Sequence, residues 1–120
     1  MLKKLLIVDD DGSLRRLYRR IFAGRGYRFT LAKSAAEARA LLTSGSYDLL
    51  ITDYLLGDGE GTELLDLLEG AGKNTKAMVV SGSMGPAERT LLAERYNLTN
   101  CFNKPFDSLT LLAAVKRILD

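Results

Sequence analysis

The sequence predicts an α/β protein built on a five-stranded parallel sheet with helices on both faces, a doubly wound arrangement. Three observations predict it. Short apolar runs alternate five times with stretches whose apolar residues recur at helical spacing. The runs at 5–8 and 49–51 are apolar at consecutive positions, as in strands covered on both faces. Polar or turn-forming residues close each run before the next helix opens, and such a helix is the crossover that parallel neighbours require.

The first run, residues 5–8, ends in the turn Asp9-Asp10-Asp11-Gly12. Leu14, Leu17, Tyr18, Ile21 and Phe22 then fall on one stripe, which predicts a helix from near Ser13 to Gly24 or Gly26. Residues 27–32 read as a second, weaker strand. Ser34-Ala35-Ala36-Glu37 has the capping-box pattern and opens a helix through Leu41 and Leu42 that Gly45 closes. Residues 48–53 form the third strand, stopped by Asp53, and Gly57-Asp58-Gly59-Glu60-Gly61 suits a loop. A short helix over 63–69 carries four leucines. The fourth strand, 77–80, runs into Ser81-Gly82-Ser83. Pro86 suits the first position of a helix through Leu91, Leu92 and Ala93, with Asn97 as a left-handed cap. Residues 100–103 form a short fifth strand before Lys104-Pro105-Phe106. Asp107 or Ser108 caps a last helix whose Leu111, Leu112, Val115, Ile118 and Leu119 share one side.

At 120 residues the chain is expected to be one domain, 1–120, with no output domain in it. Its 47% hydrophobic and 27% charged residues, with two prolines, exclude a disordered or collagen-like chain. A net charge of +2 is too small to argue for direct nucleic acid binding, and no stretch approaches the ~20 apolar residues of a membrane span. Cys101 has no partner in the chain, and the opening Met1-Leu2-Lys3-Lys4 leads into too short an apolar run for a signal peptide. Both point to the cytoplasm. Cys101 reads as a small buried apolar residue, and Arg15, Arg16, Arg19 and Arg20 as a solvated face opposite the first helix's apolar stripe. The glycine-rich loop after Asp53 has no phosphate-loop lysine and no helix-opening GxGxxG, which excludes nucleotide binding.

With strand order 2-1-3-4-5, as in flavodoxin-like sheets, a crevice opens between strands one and three at their carboxyl ends. Asp9, Asp10 and Asp53 then converge there, with Ser81 and Lys104 delivered by the fourth and fifth strand ends. Carboxylates about 4 Å apart repel by up to roughly 4 kcal/mol per pair at an effective dielectric near 20, so the rim needs a neutralising charge. An all-oxygen site with few protein ligands suits Mg²⁺, which would also let an anionic carboxylate meet an anionic phosphoryl group. Gly82 leaves room for an incoming phosphodonor.

Val8-Asp9-Asp10, Thr52-Asp53, Gly61, Val80-Ser81-Gly82 and Lys104-Pro105-Phe106, in this order and at these spacings, resemble the receiver domain of two-component response regulators, CheY-like, over essentially the full chain. The resemblance implies phosphoryl transfer from a phosphohistidine to Asp53 and a conformational switch. It implies Mg²⁺ bound by Asp10, Asp53 and the Leu55 backbone carbonyl, with Asp9 acting through water. Ser81 and Lys104 would contact the phosphoryl group, and the Lys104-Pro105 bond would be cis. The implied partners are a sensor histidine kinase or histidine phosphotransfer protein, and an output domain or downstream protein. Apart from self-phosphorylation and self-dephosphorylation, no enzymatic turnover is implied.

Two residues depart from that pattern. Gly57 stands where the family usually has proline, which is expected to loosen the loop after Asp53. Cys101 stands where the family usually has an aromatic that turns inward, so the readout of phosphorylation needs another path. At a position where the family tunes phosphoryl lifetime, Leu55 offers no hydrogen bond to a water. A polar replacement there is expected to speed dephosphorylation.

Two rival functions remain. Val8-Asp9-Asp10-Asp11-Gly12-Ser13 also resembles the opening motif of haloacid dehalogenase-type phosphohydrolases, with Asp9 as nucleophile and Asp11 as acid. That family needs a later acidic pair, absent here, and leaves Asp53 without a role. The other is a docking module of the same fold that is never phosphorylated, against which the full set of acids, hydroxyl and lysine argues.

Overall fold

The computed structural model describes residues 2–96, 98 and 100–120. In chain order the elements are β1 (Lys3–Val8), α1 (Gly12–Phe22), β2 (Tyr27–Ala32), α2 (Ala35–Ser44), β3 (Leu49–Asp53), β4 (Leu55–Leu56), β5 (Gly59–Glu60), α3 (Gly61–Gly70), β6 (Lys76–Ser81), α4 (Pro86–Tyr96), β7 (Cys101–Asn103) and α5 (Ser108–Leu119). The main sheet is parallel throughout, in the order β2-β1-β3-β6-β7. Counting its strands along the chain, this is the expected 2-1-3-4-5.

Side-chain alternation along the buried strands divides the core between the two faces. Leu5, Ile7, Leu49, Ile51, Met78 and Val80 pack with Tyr18 and Phe22 of α1 and Leu111 and Val115 of α5. Leu6, Val8, Leu50 and Val79 pack on the other side with Leu42, Leu64, Leu68 and Leu92, from α2, α3 and α4. All five residues of β3 are buried, so a polar residue on that strand is either satisfied or functional. Among the described residues, no helix is long and apolar enough to cross a membrane.

Local chemistry sets the element ends. Asp11 caps α1 by accepting from the N–H groups of Ser13 and Leu14, at 2.8 and 3.4 Å, so the helix starts at Gly12. It stops at Phe22, ahead of the glycines expected to end it. Gly24 and Gly26 have φ of 70° and 84° and instead make the turn into β2. At α2 the capping box is half as expected. Ser34 accepts from Glu37 N at 3.1 Å, but the Glu37 carboxylate takes the N–H of Lys33 at 3.0 Å, not that of Ser34. Asp107 caps α5 through Thr110 N at 2.9 Å, and Pro86 opens α4. The cap expected at Asn97 lies outside the described residues.

Two further findings differ from expectation. The stretch after Asp53 is not an open loop: β4 and β5 form a two-pair antiparallel ladder, Leu55 with Glu60 and Leu56 with Gly59. Cys101 is half-buried because it opens the short edge strand β7, although it does pack against the core on the face that carries α2, α3 and α4, and burial pushes its thiol pKa up.

Candidate functional site

Four strand ends converge on one rim. Asp53 is the last residue of β3 and Ser81 the last of β6, while Asp9 follows β1 directly and Lys104 follows β7. Three of these side chains are withdrawn from solvent, Asp9 at 1% exposure, Asp53 at 9% and Ser81 at 1%; Asp10 is exposed. Carboxylate oxygens of Asp9, Asp10 and Asp53 lie within 4.8 Å of one another. Leu55 sits beside them in β4 with an exposed side chain.

Lys104 holds the centre. Its Nζ donates to Asp9 Oδ2 at 2.8 Å and to Asp53 Oδ2 at 2.7 Å, and its backbone N–H donates to the Ser81 carbonyl at 3.0 Å. The neutralising charge that the sequence demands is therefore supplied in part by the protein. Three carboxylates and one ammonium still leave two negative charges on the rim, the charge of one divalent cation. The donor set is all oxygen and one acid is open to solvent, which fits Mg²⁺, an ion that keeps several of its waters.

Two further bonds hold the buried acid in place. Asp9 Oδ1 accepts from Asp11 N at 2.9 Å, and the Asp9 carbonyl accepts from Arg15 Nη1 at 2.8 Å. Arg15 is thus a supporting contact of the rim and half-buried, in contrast to the solvated face expected of all four arginines, of which Arg16, Arg19 and Arg20 are exposed. Thr52 Oγ1 donates to the Asp53 carbonyl at 3.0 Å. Ser81 Oγ accepts from Ser83 N and pairs with Ser83 Oγ, both at 3.1 Å. Gly82 is exposed, and a Cβ there would make only an ordinary 3.6 Å contact with Lys104. The Lys104-Pro105 bond is cis, as expected.

Asp58, which the sequence leaves unremarked in a glycine-rich loop, also belongs to this region. Its two carboxylate oxygens accept from Ala35 N at 2.8 Å and Ala36 N at 3.0 Å, and those bonds hold its carboxyl below the usual range. Gly57, in the proline position, lies at the turn of a segment held by the ladder and by this second attachment.

Burial and the bonds of Lys104 set the shifts at the rim. It pushes the Asp9 carboxyl up, against the downward pull of the Lys104 and Asp11 bonds. It would lower Lys104, but the bonds to Asp53 and Asp9 outweigh it and leave the ammonium above its usual value. Tyr18, stacked on Phe106 at 5.7 Å, is raised by burial and then by the charges of Asp9 and Asp53.

Two outcomes follow. Lys104→Met leaves Asp9 and Asp53 facing each other without a cation and is expected to cost about 2 kcal/mol of metal-free stability. Urea denaturation with chelator present measures this, and adding Mg²⁺ should recover part of the loss. The second concerns alkaline pH. Tyr18 and Lys104 both hold their protons more tightly when folded, so their contribution is complete below about pH 10 and lost as pH rises through the folded-state values. Denaturation midpoints should fall above that pH, and Tyr18→Phe should soften the fall.

A parallel sheet of this order, with acids, hydroxyl and lysine gathered at its carboxyl edge, is the architecture of a CheY-like receiver. The chain belongs to the response regulator receiver domain family, whose match covers residues 5–116. It is 31% identical over 113 residues to the acid tolerance regulatory protein ActR of Sinorhizobium medicae, a match covering 94% of this chain and 58% of that protein. Sporulation initiation phosphotransferase F of Bacillus subtilis is 27% identical over 119 residues, covering 99% of this chain and 95% of that one. The CheY-like response regulator receiver domain protein from Methanospirillum hungatei superimposes with a TM-score of 0.91 at 29% identity, covering 100% of this chain and 95% of that one. Against ActR and the response regulator MprA of Mycobacterium tuberculosis, the chain spans only 58% and 50% of the relative's length.

Proposed function

We propose that the chain is a phosphorylation-activated switch in which Asp53 accepts a phosphoryl group from a phosphohistidine. An Asp53 carboxylate oxygen attacks phosphorus, the phosphorus–nitrogen bond breaks, and its electron pair returns to the imidazole. Lys104, now shared by Asp9 and Asp53, turns to an oxygen of the transferred group as countercharge. Ser81 exchanges its bond to Ser83 for another phosphoryl oxygen and so reports occupancy. Asp10, Asp53 and the Leu55 backbone carbonyl would hold Mg²⁺, with Asp9 reaching it through water. Bound there, the ion offsets the repulsion between the carboxylate and the incoming anion.

The observation supporting this reading is the doubly bonded Lys104 beside three converging carboxylates, with a buried hydroxyl on the adjacent strand end. The phosphohydrolase reading fares worse on the same geometry. Asp9 is buried with both oxygens engaged, and Asp11 is spent as the α1 cap. Acetyl phosphate with Mg²⁺, followed by mapping of the acyl phosphate, decides between them. Modification at Asp53 fits the switch, modification at Asp9 fits the hydrolase, and no change with either acetyl phosphate or beryllofluoride fits a docking module.

Named relatives such as ActR and the transcriptional regulatory protein CusR of Escherichia coli suggest the setting. We take the phosphodonor to be a sensor histidine kinase or a histidine phosphotransfer protein in the cytoplasm. The signal would pass to an output domain or downstream protein, without membrane insertion or direct nucleic acid contact by residues 1–120.

A further inference from the structure

The segment between Asp53 and α3 is moored to α2 at both its tip and its exit. At the tip, Asp58 takes the N–H groups of Ala35 and Ala36, first-turn donors that no carbonyl within the helix can reach. At the exit, Glu63 accepts from Glu60 N with one oxygen and from Arg39 Nη2 of α2 with the other, both at 3.1 Å. Between these ties lies the β4–β5 ladder, in which Leu55 pairs with Glu60. Gly57 at its turn is so close to Asp10 that a Cβ would stand 3.3 Å from Oδ2.

A hairpin of two pairs is marginal in water, and the glycines at 57 and 59 increase the entropy it loses on ordering. Its geometry must therefore be imposed from outside, and α2, which contributes nothing to the rim itself, is what it is fastened to. Resting on the phosphoacceptor reading, we propose that Asp58 is a positioning residue for the metal site. By tying the hairpin to the start of α2 it fixes the Leu55 backbone and the ground beside Asp10 where Mg²⁺ must find its oxygens. Groups that orient metal ligands without touching the metal typically change affinity 10- to 100-fold.

The test is a calorimetric Mg²⁺ titration of the unphosphorylated wild type, Asp58→Ala and Asp58→Asn. Asp58→Ala should raise the Mg²⁺ Kd about tenfold, and Asp58→Asn, which keeps one acceptor oxygen, should raise it less. The increase should persist in ~1 M KCl, where a Debye length of about 3 Å screens the simple loss of a surface charge. Phosphorylation of Asp58→Ala should half-saturate at correspondingly higher Mg²⁺ yet reach the wild-type plateau. A lower melting temperature with unchanged Kd, or a Kd increase that disappears in salt, overturns the proposal. If Asp58→Ala does not fold, Asp58→Asn decides by the same criteria. Failure of the wild type to bind Mg²⁺ would sink the phosphoacceptor reading itself, whereas wild-type binding by both variants sinks only this one.

Discussion

Asp53→Asn takes up no phosphoryl group from acetyl phosphate and Mg²⁺, while the wild type gains the mass of one; intact-mass spectrometry reads both. An amide oxygen carries no charge and forms no stable acyl phosphate, so the loss is complete, not graded. The same variant should remain folded. With neighbouring carboxylates within 4.8 Å, removing the Asp53 charge relieves repulsion of about 3 kcal/mol per pair at an effective dielectric near 20. Against this stands the weakened bond to Lys104, a charged hydrogen bond worth about 1.5–3 kcal/mol. Asp53 faces two such carboxylates, Asp9 and Asp10, so the repulsion relieved exceeds the bond weakened and metal-free Asp53→Asn should melt above wild type. Its stabilisation by Mg²⁺ should be smaller, since one ligand oxygen has lost its charge. A variant that unfolds, or that is phosphorylated as readily as wild type, removes Asp53 from the centre of the mechanism.

Residues with a local signature are the ones legible in the sequence. β3 is readable because an apolar run stopped by an acid marks a covered strand reaching its rim, and the parallel sheet follows from alternation with helices, while its order 2-1-3-4-5 is read by analogy with flavodoxin-like sheets. The caps at Ser34 and Asp107 are encoded within four residues of the N–H groups they bind. What stays hidden depends on distance along the chain. Lys104 meets Asp9 across 95 residues, and nothing near either one says that the lysine rather than a metal bonds both acids. Asp58 and Glu60 look alike in a glycine-rich loop, but only the folded chain brings Asp58 to α2, 23 residues away. Arg15 is likewise hidden among four arginines on one helix, and it is singled out only by the turn that presents the Asp9 carbonyl. The β4–β5 ladder escapes detection because two residues flanked by glycine carry no periodicity.

Gly61→Ala should be the most damaging small substitution in the chain, costing about 3 kcal/mol or more. Gly61 opens α3 directly against the end of β3, its N–H donating to the Tyr54 carbonyl at 2.8 Å. A Cβ there would overlap the Asp53 carbonyl oxygen and stand 3.0 Å from Thr52 Oγ1. The obstacle is backbone, and that carbonyl is already fixed by the Thr52 hydroxyl, so no rotamer change relieves it. Either α3 shifts away from the sheet or the peptide after Asp53 turns. Both move the acceptor carboxylate relative to Lys104, so phosphorylation should slow even in the fraction that stays folded. Gly70→Ala is the control at the other end of the same helix, where a Cβ would meet nothing within 4 Å. It should be neutral or raise stability by up to about 1 kcal/mol, as alanine for glycine in a helix does. Urea titrations of the two variants that superimpose would show that the contact between Gly61 and Asp53 does not govern this region.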